Sequence, residues 1–232
     1  MVWSKRRKIQ AHSNKRKNMN IVKSYPYIAM DDDLNYCTQH QIVWQKDMSK
    51  SVEYDTDYFN KYVGYENSEI AKCLNHFRIT LAHRHASSLL DIGIGSGEFI
   101  KNWDEEICGF DVNPIAIEWL TKHNIFVNPY EDIPDNIDGI TMWDVIEHIP
   151  EPQLLFDKIK SRTVLMTSLP IFKDVTRVRE SKHFKFDEHF YYFSKDGFIK
   201  FMTDSNFKIV DYGDWETQCG REDIMTFVFQ KL

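Results

Sequence analysis

Residues 89–100 read LLDIGIGSGEFI, and this stretch decides the fold expected for the 232-residue chain. A short apolar run ends in Asp91, glycines follow at every second position from 93 to 97, and an apolar helical pattern opens at Phe99. Glycine adopts positive φ freely and has no Cβ, so a ligand can approach the backbone of such a turn. The stretch therefore predicts a strand, a tight ligand-binding turn and the start of a helix.

Two phosphate-binding motifs do not fit this turn. The dinucleotide motif requires a third glycine three positions after the second, where this sequence has Glu98. A phosphate-cradling loop would require Lys followed by Ser or Thr, and neither pair follows the turn. Because Asp91 and Glu98 place carboxylates on both sides of the glycines, a ligand with a positive centre fits better.

A second motif follows about twenty residues later, where Ile107–Phe110 predicts a short strand that ends in Asp111. An acidic residue at this spacing lies at the tip of the neighbouring strand. There it can accept hydrogen bonds from both hydroxyls of a ribose.

Three motifs together carry a family resemblance: DIGIGSG at 91–97, GFDVNP at 109–114 and WDVIEHIPEP at 143–152. In order and separation they resemble the motif set of class I S-adenosylmethionine (SAM) dependent methyltransferases, over roughly residues 65–232. The resemblance implies SAM as cofactor and an α/β fold, a Rossmann-like doubly wound, mostly parallel seven-stranded sheet with an antiparallel last strand. The alternation of strand and helix patterns independently favours a doubly wound parallel sheet.

The pattern also predicts the individual elements. Ser68, Asn113 with Pro114, and Ser194 are expected to begin helices. Strands after the first two are expected at 125–127, 137–143, 163–168, 207–212 and 224–229.

The resemblance assigns cofactor contacts to residues at the strand ends. Trp143 has a second interpretation, as an aromatic residue of the core. The expected contacts are Asp91, Gly93, Gly95 and Gly97 for the methionine end of SAM, Asp111 for the ribose, Val112 as a further cofactor contact, Tyr130 and Glu131 for the adenine, and Trp143 and Asp144 for the floor beside the sulfonium.

Catalysis requires little chemistry from the protein, because methyl transfer from a sulfonium is an in-line displacement that depends on alignment and exclusion of water. A general base helps where the acceptor must lose a proton, and histidine is the usual choice near neutral pH. The candidates are His148 and His189 with Glu147, while His183 is a further histidine in the same region. A structural role is the alternative for each histidine.

We expect a site without metal, but a divalent cation is an open alternative. Asp144, Glu147, His148 and His189 form a mixed oxygen and nitrogen set that could hold magnesium, manganese or zinc. This set resembles the metal site of small-RNA 2′-O-methyltransferases and of ubiquinone-pathway O-methyltransferases, except that Asp144 replaces a glutamate of the former.

Composition bounds the compartment and the partners. No stretch approaches the 20 or so apolar residues of a membrane span, so we expect a cytoplasmic protein without a membrane partner. The four cysteines show no paired spacing, which predicts reduced thiols. Residues 1–23 hold eight Lys or Arg and no acid, which leaves 21 basic against 35 acidic residues in the remainder. Such an acidic body is a poor surface for a long nucleic acid unless the basic segment binds it.

Three segments are expected. Residues 1–23 predict a disordered basic tail, which would serve as a nucleic-acid arm, a nuclear localisation signal, a solvated tail or the product of a start upstream of Met19. Residues 24–66 are rich in aromatics and would form a lid over the cofactor or pack at the sheet edge. Residues 67–232 would form the SAM-binding methyltransferase domain.

The function expected from these observations is methyl transfer from SAM to a small or medium acceptor, at a hydroxyl of a sugar, nucleotide-sugar or quinone-like molecule. RNA 2′-O-methylation with a divalent metal is an alternative, with nucleic acid bound through the basic tail. A SAM-binding regulatory protein without turnover is another, because a cofactor motif reports binding and not chemistry. Methylation of base amino groups is disfavoured, because enzymes with that activity have an N/D-P-P-Y/F tetrapeptide where this sequence has WDVIE.

Overall fold

The computed structural model describes residues 21–49, 68–186 and 188–232, and in these residues the strands form two sheets. The larger sheet has the strand order β5-β4-β6-β7-β10-β9. Its strands are β4 (Ser88–Ile92), β5 (Glu106–Phe110), β6 (Gly139–Trp143), β7 (Val164–Pro170), β9 (Phe207–Gly213) and β10 (Ile224–Lys231).

The parallel sheet predicted from the sequence is confirmed. Strand β4 pairs in parallel with β5 and β6, and β6 pairs in parallel with β7. The last strand, β10, is antiparallel to both β7 and β9. Because parallel strands share one carboxyl edge, the residues that follow β4, β5, β6 and β7 are brought to the same side of the domain.

The prediction of seven strands is wrong, since this sheet has six. Residues 125–127 make only a single parallel bridge between Phe126 and Gly109. The Gly109 N–H donates to the Ile125 carbonyl at 2.8 Å, and the Val127 N–H donates to the Gly109 carbonyl at 3.0 Å. Asn128 then closes a turn by accepting the Tyr130 N–H on its side-chain oxygen. The chain thus leaves the sheet after one bridge.

Six α-helices connect the strands of the described chain. Their bounds are α1 (Glu69–His83), α2 (Glu98–Lys101), α3 (Pro114–Lys122), α4 (Pro152–Phe156), α5 (Lys195–Asp204) and α6 (Trp215–Gln218), and three 3₁₀ helices lie at Ile21–Ser24, Ile146–His148 and Val175–Glu180. The predicted caps are confirmed, because the side chains of Ser68, Asn113 and Ser194 each accept a backbone N–H from the first turn of α1, α3 and α5.

A second, antiparallel sheet lies beside the first and was not predicted. Its order is β1-β2-β3-β8, from β1 (Ile28–Ala29), β2 (Leu34–Cys37), β3 (Ile42–Gln45) and β8 (Tyr191–Phe193). A parallel bridge between Ile171 and Phe193 joins it to the end of β7. Tyr25 and Trp44 are buried here, so these two aromatics of the N-terminal segment pack in the core. The rest of the segment expected as a lid or sheet-edge element, residues 50–66, lies outside the described residues.

The basic tail expected over residues 1–23 is described only at its end. Ile21–Ser24 form a 3₁₀ helix that fully buries Val22, because this side chain packs into the main core. Residues 1–20 lie outside the described residues. Among the helices that the structure describes, none has the length and apolar character needed to cross a lipid bilayer.

Apolar side chains cover both faces of the larger sheet. On one face Phe198 of α5 packs against Phe227 and Phe229 of β10, and none of the three has exposed surface. The other face carries a cluster that includes Leu81, Phe99, Trp103, Trp143 and Met166. Burial on both faces leaves the carboxyl edge as the place where polar side chains gather.

Candidate functional site

The glycine turn after β4 has one closed side and one open side. Gly93, Gly95 and Gly97 have φ values of +77°, +54° and +82°, a region that side chains rarely adopt. A Cβ on Gly93 would lie 2.5 Å from Cγ2 of Val145, so the turn packs tightly against the segment that follows β6. A Cβ on Gly95 would meet no atom within 4 Å among the described residues, so the turn is open to a ligand there.

Asp111 lies directly beside this turn. Its Oδ2 accepts the Gly95 N–H at 3.0 Å and its Oδ1 accepts the Asn113 N–H at 2.8 Å. Burial raises the pKa of Asp111, although the Asn113 and Gly95 N–H groups oppose the shift. The two strand tips are therefore tied together, and each oxygen keeps a lone pair for a further donor.

Three further residues expected to contact the cofactor are Val112, Tyr130 and Glu131. Val112 exposes 59% of its surface and Tyr130 exposes 36%. The Tyr130 ring lies 5.8 Å from Phe110, the residue before Asp111, and burial raises the Tyr130 pKa. Glu131 is exposed and accepts a hydrogen bond from Asn128. Val112 and Tyr130 thus both offer exposed apolar surface, Val112 next to Asp111 in the chain and Tyr130 against Phe110.

Asp91 lies below the turn and is almost completely buried, with 1% exposure. Its one side-chain partner among the described residues is the Thr141 hydroxyl, which donates at 2.7 Å. Burial raises the pKa of Asp91 to about 7, although Thr141 and Arg78 act in the opposite direction. Asp91, expected from the sequence to place negative charge beside the glycines, thus holds its proton to a higher pH than an exposed aspartate does.

Trp143 and Asp144 end β6, and their side chains contact residues that the sequence analysis missed. The Trp143 ring lies between Phe99, at 5.7 Å, and the Arg78 guanidinium, at 4.9 Å. The Asp144 carboxylate accepts hydrogen bonds from Arg221 at 2.8 and 3.0 Å and from Arg78 at 3.3 Å. Asp144 is thus held by two guanidinium groups.

These contacts belong to an arginine cluster, formed by Arg78, Asp144, Glu216 and Arg221. Glu216 is fully buried and accepts two hydrogen bonds from Arg78, at 2.8 and 3.0 Å. Arg221 also donates to Glu216. Burial alone would raise the pKa of Asp144, but Arg221 and Arg78 outweigh it and lower the pKa to about 2. Two positive and two negative charges therefore balance in one network.

A second group, the Glu147 cluster, is formed by Glu147, His148 and His189. Glu147 lies three residues after Asp144 in the chain. Glu147 and His148 lie on the 3₁₀ turn after β6, and His189 precedes β8. One ligand atom from each of Glu147, His148 and His189 lies within 4.8 Å of the other two. The two imidazole rings meet edge to face at 4.6 Å. The structure thus brings together three of the four residues that were considered for catalysis, and His183 is the fourth.

Three polar atoms of the Glu147 cluster lack hydrogen-bond partners. Both carboxylate oxygens of Glu147 and Nδ1 of His148 are buried with no hydrogen-bond partner among the described residues. Burial raises the pKa of Glu147 well above its ordinary value, and the nearby Asp144 adds to the shift. Burial also lowers the pKa of His148 to about 4 and of His189 to about 2. Both imidazoles are thus neutral at pH 7, the form that binds metal ions.

The second sheet positions His189. Gln45 of β3 donates from its side chain to the His189 carbonyl at 2.7 Å, and its backbone N–H donates to the Phe190 carbonyl at 3.0 Å. The Phe190 N–H in turn donates to the Glu147 carbonyl at 2.8 Å. His189 is therefore fixed against the turn that carries Glu147 by a strand from the other end of the chain. No sequence pattern marks Gln45 for this role.

Two residues considered for the metal alternative or for catalysis stay outside this cluster. Asp144 is held by the arginines, and it is not part of the ligand group found among the described residues. His183 instead contacts the Glu222 carbonyl through Nε2 at 2.9 Å. The three ligands present, one carboxylate and two neutral imidazoles, suit a divalent transition metal.

Two proteins of known structure show the same fold, and a third is less similar. A SAM-dependent methyltransferase from Clostridium acetobutylicum aligns with a TM-score of 0.52 and 14% identity, over 75% of this chain and 99% of that one. The small RNA methyltransferase HEN1 aligns at 0.50 and 19% identity, over 69% of this chain and 25% of that one. The pyocyanin biosynthetic protein PhzM aligns at 0.49 and 14% identity, over 70% of this chain and 56% of that one. The chain thus spans about half of PhzM and a quarter of HEN1.

The sequence comparison identifies the family. No curated protein matches the sequence significantly. A family model described as a methyltransferase domain matches residues 59–212, which covers the glycine turn, both charged clusters apart from Glu216 and Arg221, and most of the larger sheet. The resemblance carried by the three sequence motifs is thereby confirmed, and the chain belongs to the methyltransferase-domain family.

Proposed function

We propose that the protein transfers the methyl group of SAM to a hydroxyl acceptor, with a divalent cation held by Glu147, His148 and His189. The observation that carries the proposal is the buried Glu147 carboxylate, which has no hydrogen-bond partner among the described residues and lies within 4.8 Å of ligand atoms of His148 and His189. Burying an isolated carboxylate without a partner is costly, and a native protein retains such a group where a ligand completes it. This proposal replaces the expectation of a site without metal.

The same edge offers groups that suit SAM. The open side of Gly95 leaves room for the methionine end, and the free lone pairs of Asp111 can accept hydrogen bonds from ribose hydroxyls. Exposed Val112 and Tyr130 suit the faces of an adenine. Trp143 is covered by Phe99 and by the Arg78 guanidinium, so in this assignment it supports the end of β6 as an aromatic residue of the core. In this assignment Gly93 and Gly97 shape the turn, and Asp91 supports it from below.

The two halves of the site are linked by a direct contact. Val145, which packs against Gly93, lies two residues before Glu147. A methyl donor in the glycine turn and an acceptor beside the Glu147 cluster would therefore meet across the end of β6. Alignment of donor and acceptor is the main contribution that this reaction needs from the protein.

A hydroxyl is the acceptor that gains most from this arrangement, because it must lose a proton to become a good nucleophile. A bound divalent cation supplies Lewis acidity that favours this loss. Glu147, His148 and His189 would hold the cation, and Gln45 would fix the orientation of His189. A ligand set with two nitrogens favours Mn²⁺, Co²⁺ or Zn²⁺ over Mg²⁺, which prefers oxygen ligands.

Two kinds of hydroxyl acceptor remain candidates. The acidic body favours a small or medium molecule such as a sugar, a nucleotide-sugar or a quinone-like compound. The Glu147 cluster, together with the basic residues between 5 and 17, supports a ribose hydroxyl of RNA as the second candidate. Such a basic segment can bind phosphates independently of sequence.

A transfer assay with methyl-labelled SAM tests the proposal. Acceptor panels would contain catechols, sugars, nucleotide-sugars, and RNA oligomers with free or blocked terminal ribose hydroxyls. We expect transfer to one panel with Mn²⁺, Co²⁺ or Zn²⁺ and its loss in EDTA. His189→Ala should abolish the response to the cation, whereas His123→Ala, at an exposed helix end, should keep it.

The outcomes separate the alternatives. Full activity in EDTA would overturn the metal proposal. Calorimetric binding of SAM without transfer to any panel would favour a regulatory protein instead. Absence of SAM binding, in protein that melts cooperatively, would overturn the assigned cofactor.

A further inference from the structure

Two cysteines that are far apart in the sequence meet at the surface. The Sγ atoms of Cys73 and Cys219 lie 3.1 Å apart, although 146 residues separate them. Cys73 is exposed on α1, and Cys219 directly follows α6 and is partly exposed. The other two cysteines are elsewhere, Cys37 in the core and Cys108 in β5. The spacing of the four cysteines gave no hint of this pair.

Several contacts hold the two sulfur atoms in this position. Phe77 of α1 packs on Trp215 of α6 with ring centroids 5.7 Å apart. One residue further along, Arg78 donates to the buried carboxylate of Glu216 at 2.8 Å. Helix α1 is therefore attached to α6 by an aromatic contact and by the arginine cluster. The approach of Cys73 to Cys219 follows from this attachment.

We propose that Cys73 and Cys219 form a reversible disulfide when the protein meets a disulfide oxidant such as oxidised glutathione. A sulfur–sulfur bond is about 2.05 Å long, so the two atoms need to move together by only about 1 Å. Both side chains are accessible enough to exchange with a small molecule. No methyl transfer or metal binding is required for this reaction.

The chemistry balances as a thiol–disulfide exchange. The exposed Cys73 thiolate attacks oxidised glutathione, whose sulfur–sulfur bond breaks and releases one glutathione thiolate. The Cys219 thiolate then attacks the Cys73 sulfur of the mixed disulfide and releases the second glutathione. Two thiol protons pass to solvent, the cysteine pair loses two electrons, and glutathione gains them.

The order of attack follows from the environments of the two thiols. Burial, together with Cys73 and Glu216, raises the pKa of Cys219 to about 11, which makes it the poorer first nucleophile. In the second step its proximity to Cys73 compensates, because the reaction is then intramolecular. The resulting bond would fix α1 to α6, the two elements that supply Arg78 and Glu216 to the arginine cluster.

Peptide mapping of the full chain tests the proposal. In a buffer of oxidised glutathione, we expect the count of reactive thiols in the unfolded protein to fall from four to two. A linked pair of tryptic peptides, 73–78 and 209–221, should appear and should be lost after treatment with dithiothreitol. Cys73→Ser and Cys219→Ser should each abolish the linked pair, and Cys108→Ala should keep it.

The disulfide should also raise the Tm of the wild-type chain and leave the Tm of Cys73→Ser unchanged. Four reactive thiols after oxidation, a glutathione adduct that goes no further, or a link between two chains would overturn the proposal. A linked pair without a change in Tm would overturn the claim that the bond fixes α1 to α6. Mapping of the wild-type chain decides the main question even if a serine variant fails to fold.

Discussion

The arginine cluster and the Glu147 cluster each contain a carboxylate from the segment that ends β6, Asp144 in the first and Glu147 in the second. The two carboxylates differ in how their charges are satisfied. Asp144 in the first has two guanidinium partners and a pKa lowered to about 2. Glu147 in the second has no hydrogen-bond partner among the described residues and a pKa raised well above its ordinary value. Asp91 is an intermediate case, because it has one hydroxyl partner and its pKa is raised to about 7.

The number of hydrogen-bond partners distinguishes a structural carboxylate from one that requires a ligand. A paired carboxylate inside a protein contributes to stability mainly because its removal leaves an opposite charge unpaired. An unpaired carboxylate lowers the stability of the chain that carries it and persists where function requires it. We therefore assign the arginine cluster to the fold and the Glu147 cluster to binding.

Arg221→Met tests the structural role of the arginine cluster and should have the largest effect on stability. It leaves Asp144 and the fully buried Glu216 with one guanidinium between them, so we expect a loss of about 3 kcal/mol in the free energy of unfolding, measured by urea denaturation. Arg177→Met, which removes an exposed pair with Glu180, is the matched control and should leave the urea midpoint unchanged. Equal losses in both variants would contradict the assignment of the arginine cluster to the fold.

Glu147→Gln should lower the activity without lowering the stability of the cation-free protein. We expect at least a 100-fold fall in kcat/KM for methyl transfer, about 2.7 kcal/mol, because the cation loses its charged ligand. The Tm of the cation-free protein should stay unchanged or rise, since an unpaired buried carboxylate is removed. Thermal melts in EDTA and labelled-SAM assays with Mn²⁺ measure the two effects.

The control for this variant is Glu222→Gln, which alters an exposed carboxylate paired with Lys182. It should change neither activity nor the response of Tm to the cation. A fall in the Tm of cation-free Glu147→Gln would show that Glu147 contributes to the fold, and the contrast between the two clusters would then be wrong.

Asp91→Asn tests the intermediate case through pH. The folded protein keeps the Asp91 proton up to about pH 7, whereas the unfolded chain releases it near the ordinary pKa of 3.8. Its contribution to stability is therefore complete below about pH 4 and is lost as the pH rises to about 7. Asparagine stays neutral and can still accept the Thr141 hydroxyl, so the variant should gain roughly 2 kcal/mol relative to wild type between pH 5 and pH 8.

Urea denaturation of the cofactor-free protein at pH 5, 6, 7 and 8 measures this gain. Asp138→Asn is a comparison variant, because this carboxylate is exposed and accepts N–H groups from Ser87 and Ser88. A constant difference between Asp91→Asn and wild type over this range would show that the folded protein does not hold the Asp91 proton.

The parts of the fold that the sequence predicted are those that depend on nearby residues. Ser68, Asn113 and Ser194 begin their helices as expected because a cap accepts a hydrogen bond from only two or three residues away. The strand tips at Asp111 and Asp144 follow from short apolar runs in the same way. The strand expected at 125–127 failed because the turn at Asn128 ends it after one bridge.

The parts that could not be predicted depend on contacts between distant residues. Gln45 meets the His189 carbonyl across 144 residues, and Arg221 meets Asp144 across 77. No local pattern marks either residue, so the second sheet and the arginine cluster were missed. Asp144 was included in the predicted ligand set for the same reason, because the arginines that hold it lie on other elements.

The glycine turn gives the test with the smallest expected effect on stability. A Cβ would clash with Val145 at Gly93 and would meet no described atom within 4 Å at Gly95. Gly95→Ala adds a methyl group at φ +54° without a clash, so we expect about 1 kcal/mol of strain in urea denaturation. The same methyl group would project into the space assigned to SAM, and calorimetry should show affinity lowered by about tenfold. Gly93→Ala should be destabilised more, because its methyl group meets Val145, and Val145→Ala should restore part of that loss. If Gly95→Ala loses stability but binds SAM as wild type does, the open side of the turn is not where the cofactor lies.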